Sequence, residues 1–225
     1  MIDSLIELDK SIFLIFNSHH TLYFDQVMWI ITGKIIWIPL ILSFVYVFFK
    51  RGWKEALLAI FMVAVTVLLC DQISSGICKP FFERLRPTHD PEFSQYVTIV
   101  NGYLGGLYGF ISSHAANAFG IAIFSILLFR NRLFSVSVII WALLSCYSRM
   151  YLGVHYPGDI ICGAFAGALS GYVCYKIYQT LHGKIFSHVP IPYEKDKNIN
   201  IVTTILYIIY IIVLIFAPLI NFKIK

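Results

Sequence analysis

Six stretches of mostly apolar residues run through this chain, at 27–49, 55–78, 113–130, 133–151, 157–180 and 200–220. Each approaches the roughly 20 residues that cross the hydrocarbon core of a bilayer. In lipid the backbone N–H and C=O groups must be satisfied within the segment, so each stretch is expected to be a helix. Composition agrees: 59% of the 225 residues are hydrophobic and only 13% charged, about half the charged share of a soluble domain. The pattern predicts an all-α membrane protein with six transmembrane helices.

Ahead of the first span, residues 3–16 set Leu5, Ile6, Leu8, Ile12, Phe13 and Ile15 among Asp3, Glu7, Asp9 and Lys10. That mixture predicts an N-terminal interfacial helix lying on the bilayer. The chain then divides into an interfacial segment, 1–26, and a six-span unit, 27–225, without a polar linker long enough to part it further. Asp3, Glu7 and Asp9 stand where a cleavable signal would carry a basic region, so the first span is expected to direct insertion.

A net charge of +5 would suit nucleic acid, but the basic residues lie in short loops between apolar segments, where they act as topology signals. Lys50, Arg51, Lys54, Arg130, Arg132, Lys176, Lys184, Lys195 and Lys197 follow the first, third and fifth spans, which puts those loops in the cytoplasm. The N-terminus, the 79–112 connection, the 152–156 turn and the C-terminus then share the outer face, with Lys223 and Lys225 as a weak opposing signal. In a bacterial inner membrane that face is periplasmic. Cys70, Cys78, Cys146, Cys162 and Cys174 fall in or beside apolar segments without metal-ligand spacing, and are expected to be small buried hydrophobes without disulfides.

Three polar clusters map to the outer face. Lys79-Pro-Phe-Phe-Glu-Arg-Leu-Arg86-Pro87 closes the second span, Ser112-Ser113-His114 opens the third, and Ser148-Arg149, His155 and Asp159 bridge the fourth and fifth. Together they suit phosphoryl transfer. A phosphate monoester carries up to two negative charges and needs fixed donors on its oxygens throughout the reaction. Lys79, Arg86 and Arg149 supply three cations, two with the planar fork that fits two phosphate oxygens. A helical 79–86 segment would put Lys79 and Arg86 on one face. Backbone N–H groups at Ser112, Ser113 and His114 would open a helix at the anion-favouring end of its dipole. His155 with Asp159 has the form of a nucleophile oriented by a carboxylate, and His114 that of a general acid, later a base on water. No carboxylate cluster suggests a metal, and no cofactor is expected.

This constellation resembles the type 2 phosphatidic-acid phosphatase family, which includes the vanadium haloperoxidases. The family signatures are K-x6-RP, PSGH and SR-x5-H-x3-D. Lys79 to Pro87 completes the first and Ser148 to Asp159 the third, while the second has Ile111 for the usual proline and Ser113 for the usual glycine. The resemblance implies a phosphohistidine at His155 assisted by Asp159, with His114 as acid and Lys79, Arg86, Arg149 and Ser112 on phosphate. Ser113 is expected to offer its backbone N–H. The substrate implied is a lipid phosphate: undecaprenyl diphosphate, phosphatidylglycerol phosphate, phosphatidic acid or lipid A phosphate. Asn101–Asn117 with His89-Asp90-Pro91 before it resembles envelope-lipid phosphatases of the Bacteroides type, which favours undecaprenyl diphosphate or lipid A.

Rival readings differ in the acceptor or in class. A lipid phosphotransferase would pass the phosphoryl group to a hydroxyl, and a transporter or scaffold would carry a decayed site. Lys79, Arg84 and Arg86, taken singly, suit anchors snorkelling at a helix end. Lys34 and Asp71, both inside spans, are expected to pair with each other. His19, His20 and His89 are expected at the surface, and the glycine-rich 101–109 stretch as a flexible lid or turn at the mouth of the site.

Overall fold

A computed structural model of the protein describes residues 2–186 and 190–219. Among them the regular elements are helices: α1 (Ile2–Asn17), α2 (Leu22–Thr32), α3 (Ile38–Phe49), α4 (Trp53–Asp71), α5 (Lys79–Phe82), α6 (Ser113–Phe129), α7 (Arg132–Tyr151), α8 (Pro157–Ile185) and α9 (Ile199–Phe216). Lys223 and Lys225 lie outside the described residues.

Four segments are long and apolar enough to cross a bilayer: Trp53–Phe82, α7, α8 and Ile199–Leu219. The first of these is α4 continued through a π-helical turn, Gln72–Cys78, into α5. The expected 27–49 span is broken instead into α2 and α3, bent by 63°, and counts as a fifth only if the pair acts as one. Gly33 ends α2 in extended backbone, and Pro39 near the start of α3 lacks an N–H and would clash with the carbonyl of residue 35 in a continuous helix. The third expected span, α6, is 17 residues long, about 25 Å of helix against a hydrocarbon core of roughly 30 Å. Length and composition among the described residues therefore support four to five spans, and a sixth crossing would need the 17-residue α6.

α6 and α8 form the centre of the bundle. Apolar contact alone gives helices in lipid little reason to associate, so close backbone approach between small residues takes over. Gly163, Gly167 and Gly171 repeat every four residues along one face of α8 against Ser112, Ala116 and Gly120 of the facing segment. A Cβ at Gly167 would run into the Ala116 carbonyl, and one at Gly171 into that of Gly120. Gly167→Leu is therefore expected to cost about 1–3 kcal/mol or more by overpacking. A lowered thermal midpoint in detergent checks this, and an unchanged midpoint counts against the contact.

At one end of the bundle, Phe48, Phe129, Phe134 and Tyr193 form an aromatic knot, with Arg51 bonded to Asp196 at 2.8 Å nearby. At the other end, α1 rests on α7 and α8. Phe13 is fully buried, edge-on to both Phe93 and Tyr156. Asn17 ties three strands of chain together, donating to the Thr98 and Tyr151 carbonyls and accepting from the Thr98 N–H.

Two charges expected to pair do not. Lys34 is exposed in the α2–α3 break, while Asp71 accepts from Asn117 Nδ2 at 3.0 Å. His20 is also not a free surface residue: its ring lies tilted against that of Tyr151, centroids 4.2 Å apart, and it shares the Asp25 carboxylate with that tyrosine's hydroxyl.

Candidate active site

The three polar clusters meet at the end of the bundle where α5 stops, α6 starts and the turn between α7 and α8 passes between them. Helix α5 ends at Phe82 because Glu83 takes a left-handed conformation (φ 46°), which a helix cannot continue. The expected helical 79–86 segment is therefore half wrong. Arg84 to Arg86 run extended and pair with the glycine-rich stretch: Arg86 N–H donates to the Leu107 carbonyl (3.1 Å), and Gly109 N–H to that of Arg84 (2.8 Å). The 101–109 stretch is thus bonded into the floor of the site, not left as a lid. Gly109 is needed there, since a Cβ would meet Asp159 Oδ2 at 2.9 Å and Arg86 Cγ at 3.2 Å.

His155, 1% exposed, sits in the α7–α8 turn with partners on both ring nitrogens. Nδ1 lies 3.3 Å from Asp159 Oδ2, and Nε2 lies 3.1 Å from Arg86 Nη1. A carboxylate only accepts and a guanidinium only donates, so the pair selects one tautomer: Nδ1 carries the proton and Nε2 keeps its lone pair. Burial, with Arg86, Arg149 and Lys79 close by, holds the imidazole well below the usual histidine range. The neutral ring is therefore favoured, the form in which Nε2 has a lone pair to offer.

The cations divide into two kinds. Lys79, Arg86 and Arg149 form no ion pair among the described residues. Lys79 Nζ donates to Ser113 Oγ (2.7 Å) and Ser75 Oγ (3.1 Å). Arg86, 8% exposed, reaches the carbonyls of Tyr108 and Val154 as well as His155. Arg149, 2% exposed, donates to Thr32 Oγ1 (2.6 Å) and Tyr103 Oη (3.2 Å), and its buried Nε has no hydrogen-bond partner among the described residues. A buried cation without a counter-ion is costly, so Arg86 and Arg149, with the partly buried Lys79 beside them, leave positive charge uncompensated at this end of the bundle. Arg84 is the opposite case. Its guanidinium bridges two carboxylates, Asp159 Oδ1 at 2.9 Å and Asp9 Oδ2 at 2.6 Å, above the Tyr156 ring. Burial opposes its charge, but Asp159 and Asp9 outweigh that and raise its pKa.

Ser112 caps α6 through its side chain, accepting from Ala115 N–H, while its own N–H donates to the Asp159 carbonyl at 3.0 Å. Ser113 and His114 occupy the first turn, where N–H groups have no intrahelical acceptor. The His114 imidazole makes no hydrogen bond among the described residues and feels Arg149, His155, Arg86 and Lys79 electrostatically. No three His, Cys, Asp or Glu side chains gather to hold a metal among the described residues.

Sequence reasoning missed Asp9, Thr32, Ser75, Tyr103 and Gly109, and left Arg84 undecided. The alternation Arg-Leu-Arg in an extended segment was the one available signal, because such spacing sends both arginines to related positions. Nothing local marked Asp9.

A cationic hollow beside a carboxylate-held histidine, at one end of helices suited to a bilayer, describes a membrane phosphatase. The chain belongs to the PAP2 superfamily, whose family model matches residues 55–182. It is 40% identical over 220 residues to a lipid A 4'-phosphatase of Bacteroides thetaiotaomicron, across 95% of this chain and 97% of that protein. A lipid A 4'-phosphatase of Porphyromonas gingivalis is 39% identical over 175 residues, 77% of this chain and 74% of the relative. In fold the chain is similar to the crystal structure of a transmembrane PAP2 type phosphatidylglycerolphosphate phosphatase from Bacillus subtilis, at TM-score 0.60 and 20% identity, over 79% of this chain and 88% of that one. The protein is accordingly a membrane lipid phosphatase, a phosphoric monoester hydrolase.

Proposed function

We propose that the protein removes a phosphate monoester from lipid A or a closely similar envelope glycolipid by way of a phosphohistidine on His155. The observation that carries this reading is the set of three cations, Lys79, Arg86 and Arg149, that surround His155 without an acidic partner. Lipid A is favoured over undecaprenyl diphosphate because both relatives near 40% identity act on lipid A.

Phosphate oxygens take the three cations, the Ser112 hydroxyl and the N–H groups of Ser113 and His114. His155 Nε2 attacks phosphorus, forming a P–N bond as the P–O ester bond breaks, and His114 gives its proton to the leaving oxygen. Water, deprotonated by His114, then breaks the P–N bond and releases inorganic phosphate. Asp159 keeps the His155 tautomer throughout. The 1–26 segment lies on the membrane surface, the 27–225 unit crosses it six times, and the site faces the periplasm of a bacterial inner membrane. α6 would then cross as a short span in a locally thinned bilayer.

Purified protein in detergent, given lipid A, undecaprenyl diphosphate, phosphatidylglycerol phosphate and phosphatidic acid, is expected to release inorganic phosphate fastest from lipid A. Activity should survive EDTA, because side-chain cations supply the charge a metal would. Vanadate should inhibit, since its five-coordinate adduct on His155 resembles the transition state. Loss of activity in EDTA with recovery in magnesium would sink the mechanism, and transfer of labelled phosphate to a lipid hydroxyl would replace hydrolysis with phosphotransfer.

A further inference from the structure

α1, expected as a helix resting on the bilayer, sends one side chain inward. Asp9 is only 13% exposed at its side chain and uses both carboxylate oxygens: Oδ2 accepts from Arg84 Nη2 at 2.6 Å and Oδ1 from Gly158 N–H at 2.7 Å. Gly158 opens α8 one residue before Asp159, and its missing Cβ is what admits Asp9, because that atom would sit 2.9 Å from Asp9 Oδ2. The other arm of Arg84 holds Asp159 Oδ1 at 2.9 Å, leaving Oδ2 for His155 Nδ1 and for the Tyr156 N–H. The chain of contacts thus runs Asp9, Arg84, Asp159, His155 without a gap.

Each member constrains the next. Asp159 is completely buried, and its two oxygens face different partners, so its rotation about the Cβ–Cγ bond decides whether Oδ2 meets the imidazole. Arg84 alone could swing its fork toward or away from Asp159. Anchored at Nη2 by Asp9, with the Tyr156 ring 4.4 Å from its guanidinium carbon, it presents Nη1 in one direction. Asp9 also holds the backbone of the turn that carries Asp159, through Gly158. Phe13, one turn further along α1, docks the helix by packing on Phe93 and Tyr156.

We infer that Asp9 is a positioning residue for the reaction: through Arg84 it fixes the Asp159 carboxylate and so the His155 imidazole, which makes the N-terminal helix part of the active site. The inference rests on the reading of His155 as nucleophile and Asp159 as its orienting carboxylate. Asp9 touches neither substrate nor the reacting atoms.

The test uses the full-length protein in detergent, with initial rates per folded protein and thermal midpoints measured side by side. Asp9→Asn keeps an acceptor for Gly158 N–H but removes the charge that anchors Arg84. It should lower kcat about 10- to 100-fold, the worth of a charge-assisted hydrogen bond, with KM changed less than about threefold because the phosphate-holding cations are untouched. Asp9→Glu should recover part of that loss. In an Arg84→Lys background, whose single ammonium cannot reproduce the two-armed guanidinium fork, Asp9→Asn should add almost nothing. Phe13→Leu loosens α1 by packing alone and should lower the thermal midpoint while leaving kcat within about twofold, which separates docking from positioning. Wild-type kcat in Asp9→Asn, or strict additivity with Arg84→Lys, overturns the inference. A His155→Ala protein that keeps its activity overturns the underlying reading instead, so the two failures are told apart.

Discussion

His155→Ala is expected to be inactive on every substrate, with turnover reduced about ten-thousand-fold or more. On the proposed mechanism, removing the imidazole removes the atom that bonds phosphorus, and the phosphate-holding groups cannot take over. Arg86 and Arg149 are cations without a lone pair at hand, and the Ser112 hydroxyl is engaged in capping α6. Substrate binding should survive, because the three unpaired cations remain and gain a little room. Two measurements check this together: inorganic phosphate release in steady state, and alkaline-quenched labelling of the protein with radioactive phosphate from substrate. The wild type should trap label and His155→Ala should not. Label retained in the variant would place the covalent phosphate on another residue and dismiss His155 as nucleophile.

His114→Ala should fail differently. It leaves the nucleophile and its tautomer intact, since neither Asp159 nor Arg86 depends on His114. On the proposed mechanism the variant loses the proton donor for the leaving oxygen, worth about 10²–10⁴-fold. That loss should be large for a sugar or alkyl phosphate, whose alkoxide is a poor leaving group, and small for p-nitrophenyl phosphate, whose phenolate departs unaided. The ratio of the two rates is the measurement. If His114→Ala and His155→Ala lose activity in the same proportion on both substrates, the acid role of His114 is wrong, even with the phosphatase intact.

Much of the fold was legible because hydropathy is a local property with a local consequence. A run such as 200–220 has to satisfy its backbone in lipid whatever surrounds it, and α9 with the turn after it makes Ile199–Leu219 helical. Where the run contained a conflict, the local signal was present but outweighed: Gly33 and Pro39 break the first span although its apolar content is high enough to cross. The 79–86 segment shows the reverse error. Its seven-residue spacing suited a helix, yet Glu83 turns left-handed and an extended strand of chain delivers Arg86 to His155.

The sequence by itself determined the solvent, the helical class and the chemistry available, because apolar length and residue type carry those directly. It also named Lys79, Arg86, Ser112, Ser113, His114, Arg149, His155 and Asp159 as candidates, because residue type alone says which groups could meet a phosphate. Only the tertiary structure decided which charges have partners. Asp9 meets Gly158 across 149 residues of chain, and Asp71 takes Asn117 rather than Lys34. Pairing depends on distances of a few ångströms between segments remote in sequence, and no periodicity encodes them. The same long-range geometry separates Arg84, bound between two carboxylates, from Arg86, two residues on, which has no acidic partner among the described residues.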